Sequence, residues 1–313
     1  MTTDDTTSTD DTSATDTTAS TATTATETEL RTQPETWRRA IELAPGLAGA
    51  LPRTGETVLI TGCGTSWFMA MAYAKLREAA GEGITDAATA TEVSTARTYD
   101  RIIALSRSGT TTEIVDLLRA TDTPSVLITA VAGGPAAEFA DAEIVLDFAD
   151  ETSVVQTRFA TSALMLLRAS LGEDLTGAIA DVERVLATEP PAEWIDAEQV
   201  TFLGTGWNKG LADEAALKLR EATQSWTEAY YAMEYRHGPI AIAQPGRLTY
   251  VFGEAPAGLD QQVGETGATW VATGLDPAAQ LAAVHLWAVR RAEKLGLNPD
   301  TPRSLSRAVH LDA

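Results

Sequence analysis

A single cysteine, Cys63, stands among 313 residues. That excludes an intramolecular disulfide and any cysteine-built metal cluster. No stretch approaches the roughly 18 apolar residues needed to span a bilayer. The start, Met1-Thr2-Thr3-Asp4-Asp5, has neither the basic nor the apolar region of a secretory signal. A soluble cytoplasmic protein is expected. Basic charge is scarce: 23 Lys and Arg face 44 Asp and Glu, a formal net charge of −21. Residues 1–29 hold seven acidic side chains and no basic one, a third of the imbalance. The remainder is still acidic and repels nucleic acid and anionic membranes, so neither is expected as a partner. Lysine is scarcer still, with only Lys75, Lys209, Lys218 and Lys294.

Residues 1–28 are nearly all Thr, Ser, Asp and Ala, too poor in large apolar groups to offset the entropy of ordering, and are expected to be disordered. A helical pattern starts near Pro34. Strand and helix then alternate. Thr57-Val58-Leu59-Ile60-Thr61, Arg101–Leu105, Ser125–Thr129 and Glu143–Asp147 read as short apolar strands, and helices are expected over 67–80 and 157–171. This alternation implies an α/β fold with a doubly wound parallel sheet. Glu189-Pro190-Pro191-Ala192-Glu193 reads as a linker, after which the pattern restarts. Val200-Thr201-Phe202-Leu203-Gly204-Thr205-Gly206 mirrors Val58–Gly64, and Lys218-Leu219-Arg220-Glu221 mirrors Lys75-Leu76-Arg77-Glu78. Two tandem α/β domains, 29–188 and 189–313, are the simplest account.

Five hydroxyl residues fall within Ser106-Arg107-Ser108-Gly109-Thr110-Thr111-Thr112, between an apparent strand and a helix. The first N–H groups of that helix lack intrahelical partners and favour an anion. Hydroxyl donors and a permissive glycine complete a phosphate cradle, since capping alone needs one hydroxyl. In an open parallel sheet this turn shares a rim with Gly62-Cys63-Gly64-Thr65-Ser66. The latter lacks the third glycine of a dinucleotide fingerprint, so nicotinamide binding is not expected. Cys63 at this helix start could have a lowered pKa, although a buried structural thiol is the commoner outcome.

In the second half Glu214, Lys218 and Glu221 share one helix face, and His237 precedes the break Gly238-Pro239. Such spacing also makes ordinary surface ion pairs. Carboxylate, lysine and histidine together can equally move protons beside a carbonyl.

Taken in order, Gly62–Ser66, Ser106-x-Ser108-Gly109-x-Thr111, Glu214-x-x-x-Lys218-Leu219-x-Glu221 and His237-Gly238-Pro239 resemble the sugar isomerase (SIS) family. Their order is similar to that in the isomerase half of glucosamine-6-phosphate synthase and in stand-alone amino-sugar-phosphate deaminases and fructosamine-phosphate deglycases. The resemblance implies a hexose 6-phosphate held by Gly64, Thr65, Ser66, Ser106, Ser108 and Thr111. It implies Glu221 as the base working between C1 and C2, Glu214 and Lys218 orienting it, and His237 opening the sugar ring from the neighbouring subunit of a homodimer. Pro302–Arg307 resembles a terminal segment that folds over the site. Arg307 stands where the synthase has an imine-forming lysine, which an always-charged guanidinium cannot replace. Arg107 and Thr110 replace the synthase's Gln and Glu, and Arg107 could add a charge-assisted bond to the substrate. Where the synthase carries its glutaminase domain stands a Thr- and Asp-rich tail, so glutamine-dependent synthesis is not expected. The stretch Glu151–Thr157, with Ser153 as a substrate contact, looks more like the deaminase and deglycase branch.

The leading expectation is an isomerising deaminase or deglycase acting on an aminated hexose 6-phosphate without metal or organic cofactor. A sugar-phosphate sensor and a simple aldose–ketose isomerase are the alternatives. Specificity is expected near Arg307 and within residues 253–273, where the last strands should lie.

Overall fold

The computed structural model describes residues 23–94 and 96–311. Most of the segment expected to be disordered, residues 1–22, lies outside them. Its end does not conform: α1 (Ala25–Leu30) is helical, and four of its six residues are buried. Thr24 caps α1, and Asp300 accepts from the Ala25 and Thr26 N–H groups at 2.8 Å, so donors freed at a helix start are satisfied from a distant part of the chain. Composition gave no hint of that partner. α2 (Gln33–Leu43) follows.

The α/β class and its parallel sheets are as expected. Five strands, β1 (Val58–Gly62), β2 (Thr85–Thr89), β3 (Arg101–Leu105), β4 (Ser125–Thr129) and β5 (Ala142–Val145), form a parallel sheet in the order β2-β1-β3-β4-β5. Between them run α3 (Thr65–Ala79) and α4 (Thr112–Ala120). Successive side chains of a strand point to opposite faces. Ile103, Val126 and Ile128 accordingly join the main core, while Ala104 and Leu127 pack under Ile114, Val115 and Leu118 of α4. Apolar residues on both faces are what make these strands read as continuous hydrophobic runs.

After α5 (Arg158–Ser170), α6 (Thr176–Leu186) and α7 (Ala192–Asp196) comes a second parallel sheet. Its strands are β6 (Gln199–Gly204), β7 (Trp226–Tyr231), β8 (Arg247–Phe252) and β9 (Thr269–Ala272), in the order β7-β6-β8-β9. That order repeats the first four strands of the first sheet. α8 (Asn208–Thr223), α9 (Leu259–Glu265) and α10 (Pro277–Lys294) cover it. The linker expected at 189–193 already enters α7. α6, placed by sequence in the first unit, packs on α10 of the second through Val182, Leu186, Leu286 and Val289.

α3 and α8 meet between the sheets, and one glycine sets their spacing. A Cβ on Gly210 would lie 2.4 Å from the Phe68 carbonyl oxygen and 3.0 Å from the Ala72 nitrogen, so only glycine lets the helices touch. The turns leading into both helices match as well. A Cβ on Gly62 would strike Ser66, one on Gly204 would strike Asn208, and Gly64 and Gly206 both take positive φ. Among the described residues no helix is long and apolar enough to cross a membrane.

Candidate active site

Because β1 and β3 are parallel neighbours, the turns at their carboxyl ends lie side by side. The first, at Gly64, starts α3. The second, Ser106–Thr111, starts α4. Gly109 takes φ +65° there, and Thr111 stands at the α4 N-cap without using its hydroxyl to cap. The Ser106 and Thr111 hydroxyls are 3.4 Å apart. Ser108 Oγ instead accepts from the Thr110 N–H at 3.2 Å and from its hydroxyl at 2.8 Å. Part of the hydroxyl excess therefore closes the turn itself.

A cavity of about 170 Å³ opens at this rim, lined by Gly64, Thr65, Thr111, Lys218, Glu221 and Arg307 among the expected residues. Val154, Gln156 and residues 305–309 complete it, with Cys63 at its edge. The packing of α3 on α8 carries Glu221 across to the phosphate turn. Ser66, Ser106 and Ser108 lie beneath the lining, each buried.

Lys218 is fully buried and sits between two carboxylates, hydrogen-bonded to Glu221 and 3.5 Å from Glu214. Burial disfavours the ammonium, but Glu214 and Glu221 outweigh it and hold the Lys218 pKa above its ordinary value. Glu214, equally buried, has no hydrogen-bond partner among the described residues, and burial pushes it up to about 8 against the attraction of Lys218. The triad therefore sets the buried Lys218 and Glu214 behind the half-buried Glu221, which faces the cavity. This is no surface ion-pair ladder.

Two expectations, for Arg107 and Ser153, meet corrections. Arg107 does not point at a phosphate position. It is buried, donating to the Ser153 carbonyl at 2.8 Å and the Arg307 carbonyl at 2.5 Å, because a buried guanidinium needs acceptors and two backbone segments supply them. Ser153 does not line the cavity, since its hydroxyl donates to Glu29 of α1. His237 is exposed at the end of a short helical turn and lines no part of this cavity in its own chain. The Cys63 thiol is pushed up to about 11 by burial, with Glu113 adding to it, so the helix start does not activate it. No residue of 253–273 lines this cavity; Glu254, Ala255 and Pro256 line another.

Sequence reasoning missed two carboxylates that shape the site loop. Glu29 accepts from the Thr152 N–H at 2.5 Å and the Ser153 N–H at 3.2 Å. Glu151, fully buried, accepts from the N–H groups of Thr157 at 2.5 Å and Arg158 at 2.9 Å and so caps α5. Burial raises the Glu151 carboxyl, while Arg107 opposes the shift. Nothing local to Glu29 signalled a partner 123 residues away.

The C-terminal segment closes the cavity. Val309 O accepts from the Thr112 N–H at 3.4 Å, and the Leu311 N–H donates to Thr112 Oγ1 at 3.0 Å, both at the start of α4. Arg307 donates to the Glu151 carbonyl at 3.0 Å and pairs with Asp150 at 2.5 Å. The backfolding expected of Pro302–Arg307 is thus present and extends to Leu311.

Comparison with known proteins finds that residues 53–171 match the SIS domain model and that the two-sheet fold is shared with solved structures of sugar-phosphate enzymes. Among curated proteins the chain is 30% identical over 256 residues to the isomerizing glutamine–fructose-6-phosphate aminotransferase of Sulfolobus acidocaldarius, covering 69% of this chain and 43% of that protein. With its Yersinia pseudotuberculosis counterpart it shares 26% identity over 87% of this chain and 54% of the relative. The chain spans about half the length of these relatives. Glucosamine-6-phosphate deaminase from Thermotoga maritima shares the fold at TM-score 0.73 and 23% identity, over 92% of this chain and all of that one. Tagatose-6-phosphate ketose/aldose isomerase from Escherichia coli does so at 0.75 and 19%, over 89% and 95%.

Proposed function

We propose that the chain is an isomerising deaminase or deglycase that releases nitrogen from an aminated hexose 6-phosphate. The observation that carries this reading is the single cavity shared by the phosphate turn, through Thr65 and Thr111, and by the Lys218–Glu221 pair. The phosphate sits against the starts of α3 and α4, where unpartnered N–H groups and the Thr111 hydroxyl face it. Because Ser106, Ser108 and Ser66 are buried and Val309 covers α4, the C-terminal segment lifts to admit it. Glu221 takes a proton from one of C1 and C2 and returns it to the other. The electron pair left behind forms C1=C2 as the carbonyl oxygen takes a proton; when the proton returns to the other carbon, the nitrogen lone pair forms a carbon–nitrogen double bond, water adds to it, and the amine leaves. Lys218 holds the Glu221 carboxylate in place through their hydrogen bond, and Glu214 packs against Lys218 from the other side. His237 serves the cavity of a second copy of the chain, since it is exposed in its own. Arg307 forms no imine, and none is required of it, since the substrate brings its own nitrogen.

Glu221→Gln should lower turnover by about 10²–10⁴-fold while leaving sugar-phosphate binding nearly unchanged, read by amine release and by calorimetric titration. Undiminished turnover would remove Glu221 from the role of base. Thermal stabilisation by sugar phosphates with no product from any aminated one would favour a sensor instead.

A further inference from the structure

Where α6 meets the second sheet lies a cavity of about 300 Å³ that shares no lining residue with the one at the phosphate turn. α6, the Pro190-Pro191 link and α7 form one side of it, through Val185, Pro190 and Trp194. α10 and the segment after β9 form the other, through Ala283 and Leu275, and β8 places Tyr250 in the wall. The charged lining residues, Arg184 and Glu189, are exposed and already paired, with Asp181 and Arg290. We infer that this cavity binds a small, flat, bicyclic aromatic molecule carrying a hydrogen-bond acceptor, which the Tyr250 hydroxyl receives. The inference is independent of the proposed function, since it uses none of the residues that carry that reading.

Three observations support it. Size is the first. Protein interiors are packed as densely as organic crystals, with few voids larger than a water molecule, whereas small-molecule sites begin at about 300 Å³. The second is an unmet donor. Tyr250 is fully buried, and its hydroxyl has no hydrogen-bond partner among the described residues. A hydroxyl buried in this way costs free energy that phenylalanine, with the same ring, avoids. Thr273, also in the lining, does not relieve it. Its oxygen already accepts from the Gln280 side chain at 2.6 Å and the Leu275 N–H at 3.4 Å. A lone water needs about two to four polar partners, more than this wall offers.

The third is the wall itself. Trp194 stands edge-on to Tyr250, with ring centroids 5.5 Å apart and planes at 86°, and lies 5.5 Å from Trp287 on its other side. Offset and edge-to-face contacts let such a cluster take in one more ring, which favours a flat aromatic over a flexible chain. A sugar phosphate does not fit these terms. The cavity's only cationic residue is Arg184, which Asp181 already neutralises, and Glu189 opposes an anion.

The test uses coumarin and naphthalene on the full chain, two flat bicyclic molecules of similar size of which only coumarin has a carbonyl oxygen. Equilibrium dialysis should show saturable binding of both, with coumarin tighter by about fivefold or more. Tyr250→Phe should bring that ratio toward one without lowering the thermal unfolding midpoint, because the hydroxyl has no partner to lose. Ala283→Leu, which fills the cavity from α10, should weaken both compounds. The inference is overturned if neither compound binds saturably, or if Ala283→Leu leaves binding unchanged. Equal affinity for the two, or a coumarin preference that survives Tyr250→Phe, would remove Tyr250 as the anchor and overturn the ligand class. A lowered midpoint in Tyr250→Phe would do the same, since the hydroxyl would then be partnered within the protein.

Discussion

Glu214 is the residue whose chemistry is most directly measurable. Its carboxyl is pushed from 4.5 to about 8 by burial, so between those values the unfolded chain is ionised there and the folded one is not. The unfolded state then binds fewer protons, and this group's effect is a stability that falls as pH rises from about 4.5 to about 8. Glu214→Gln keeps the shape without the titration. Denaturant unfolding across that range should lose this part of its slope in the variant, and an unchanged slope would mean that Glu214 is ionised in the folded protein. The corrections at this scale share one cause. Arg107 sits in a hydroxyl-rich turn that invites a phosphate reading, but its acceptors belong to residues 46 and 200 positions away. Periodicity made Glu214, Lys218 and Glu221 share a face; it could not tell that two of them are buried while the third meets a cavity.

At the scale of elements, legibility followed side-chain bulk. β1, β3 and β4 are central strands with apolar residues on both faces, and their composition announced them. β2, Thr85-Asp86-Ala87-Ala88-Thr89, is an edge strand of small and polar residues and left no signature. β7 and β9, likewise edges, and β8, which ends just where the unplaced stretch of 253–273 begins, were not read either. α1 hid among threonines. The α3–α8 crossing was invisible too, because a glycine within a helix signals only lost propensity. Gly210→Ala tests it. Alanine should add up to about 1 kcal/mol of helix propensity, yet its Cβ must displace the α3 backbone, with overpacking that typically costs 1–3 kcal/mol. A lower denaturation midpoint with weakened turnover is expected, since α3 and α8 bring Thr65 and Glu221 to one cavity. A raised midpoint would mean that the helices separate without penalty.

For the whole molecule, the two ends of the described chain converge on one loop. Asp300 caps α1, Glu29 of α1 holds Thr152 and Ser153, and Arg307 ties the C-terminal segment to Asp150 and Glu151. We propose that the two sheets, which share strand order and turn geometry, arose from one duplicated unit, the second keeping the Lys-Leu-Arg-Glu face and the first the phosphate turn. α6 and α10, far apart in sequence, share a packed layer.

The clasped C-terminal segment also brings its own reporter, because trypsin cuts after arginine and two exposed arginines bracket the clasp. Arg303 lies outside the contacts that hold the strand down, whereas the Arg307 carbonyl is bonded to Arg107. In limited digestion without ligand, cleavage after Arg303 should therefore precede cleavage after Arg307. A sugar phosphate that enters by lifting the clasp should bring the second cut forward. If both bonds are cut at the same pace with and without ligand, entry does not run through this segment.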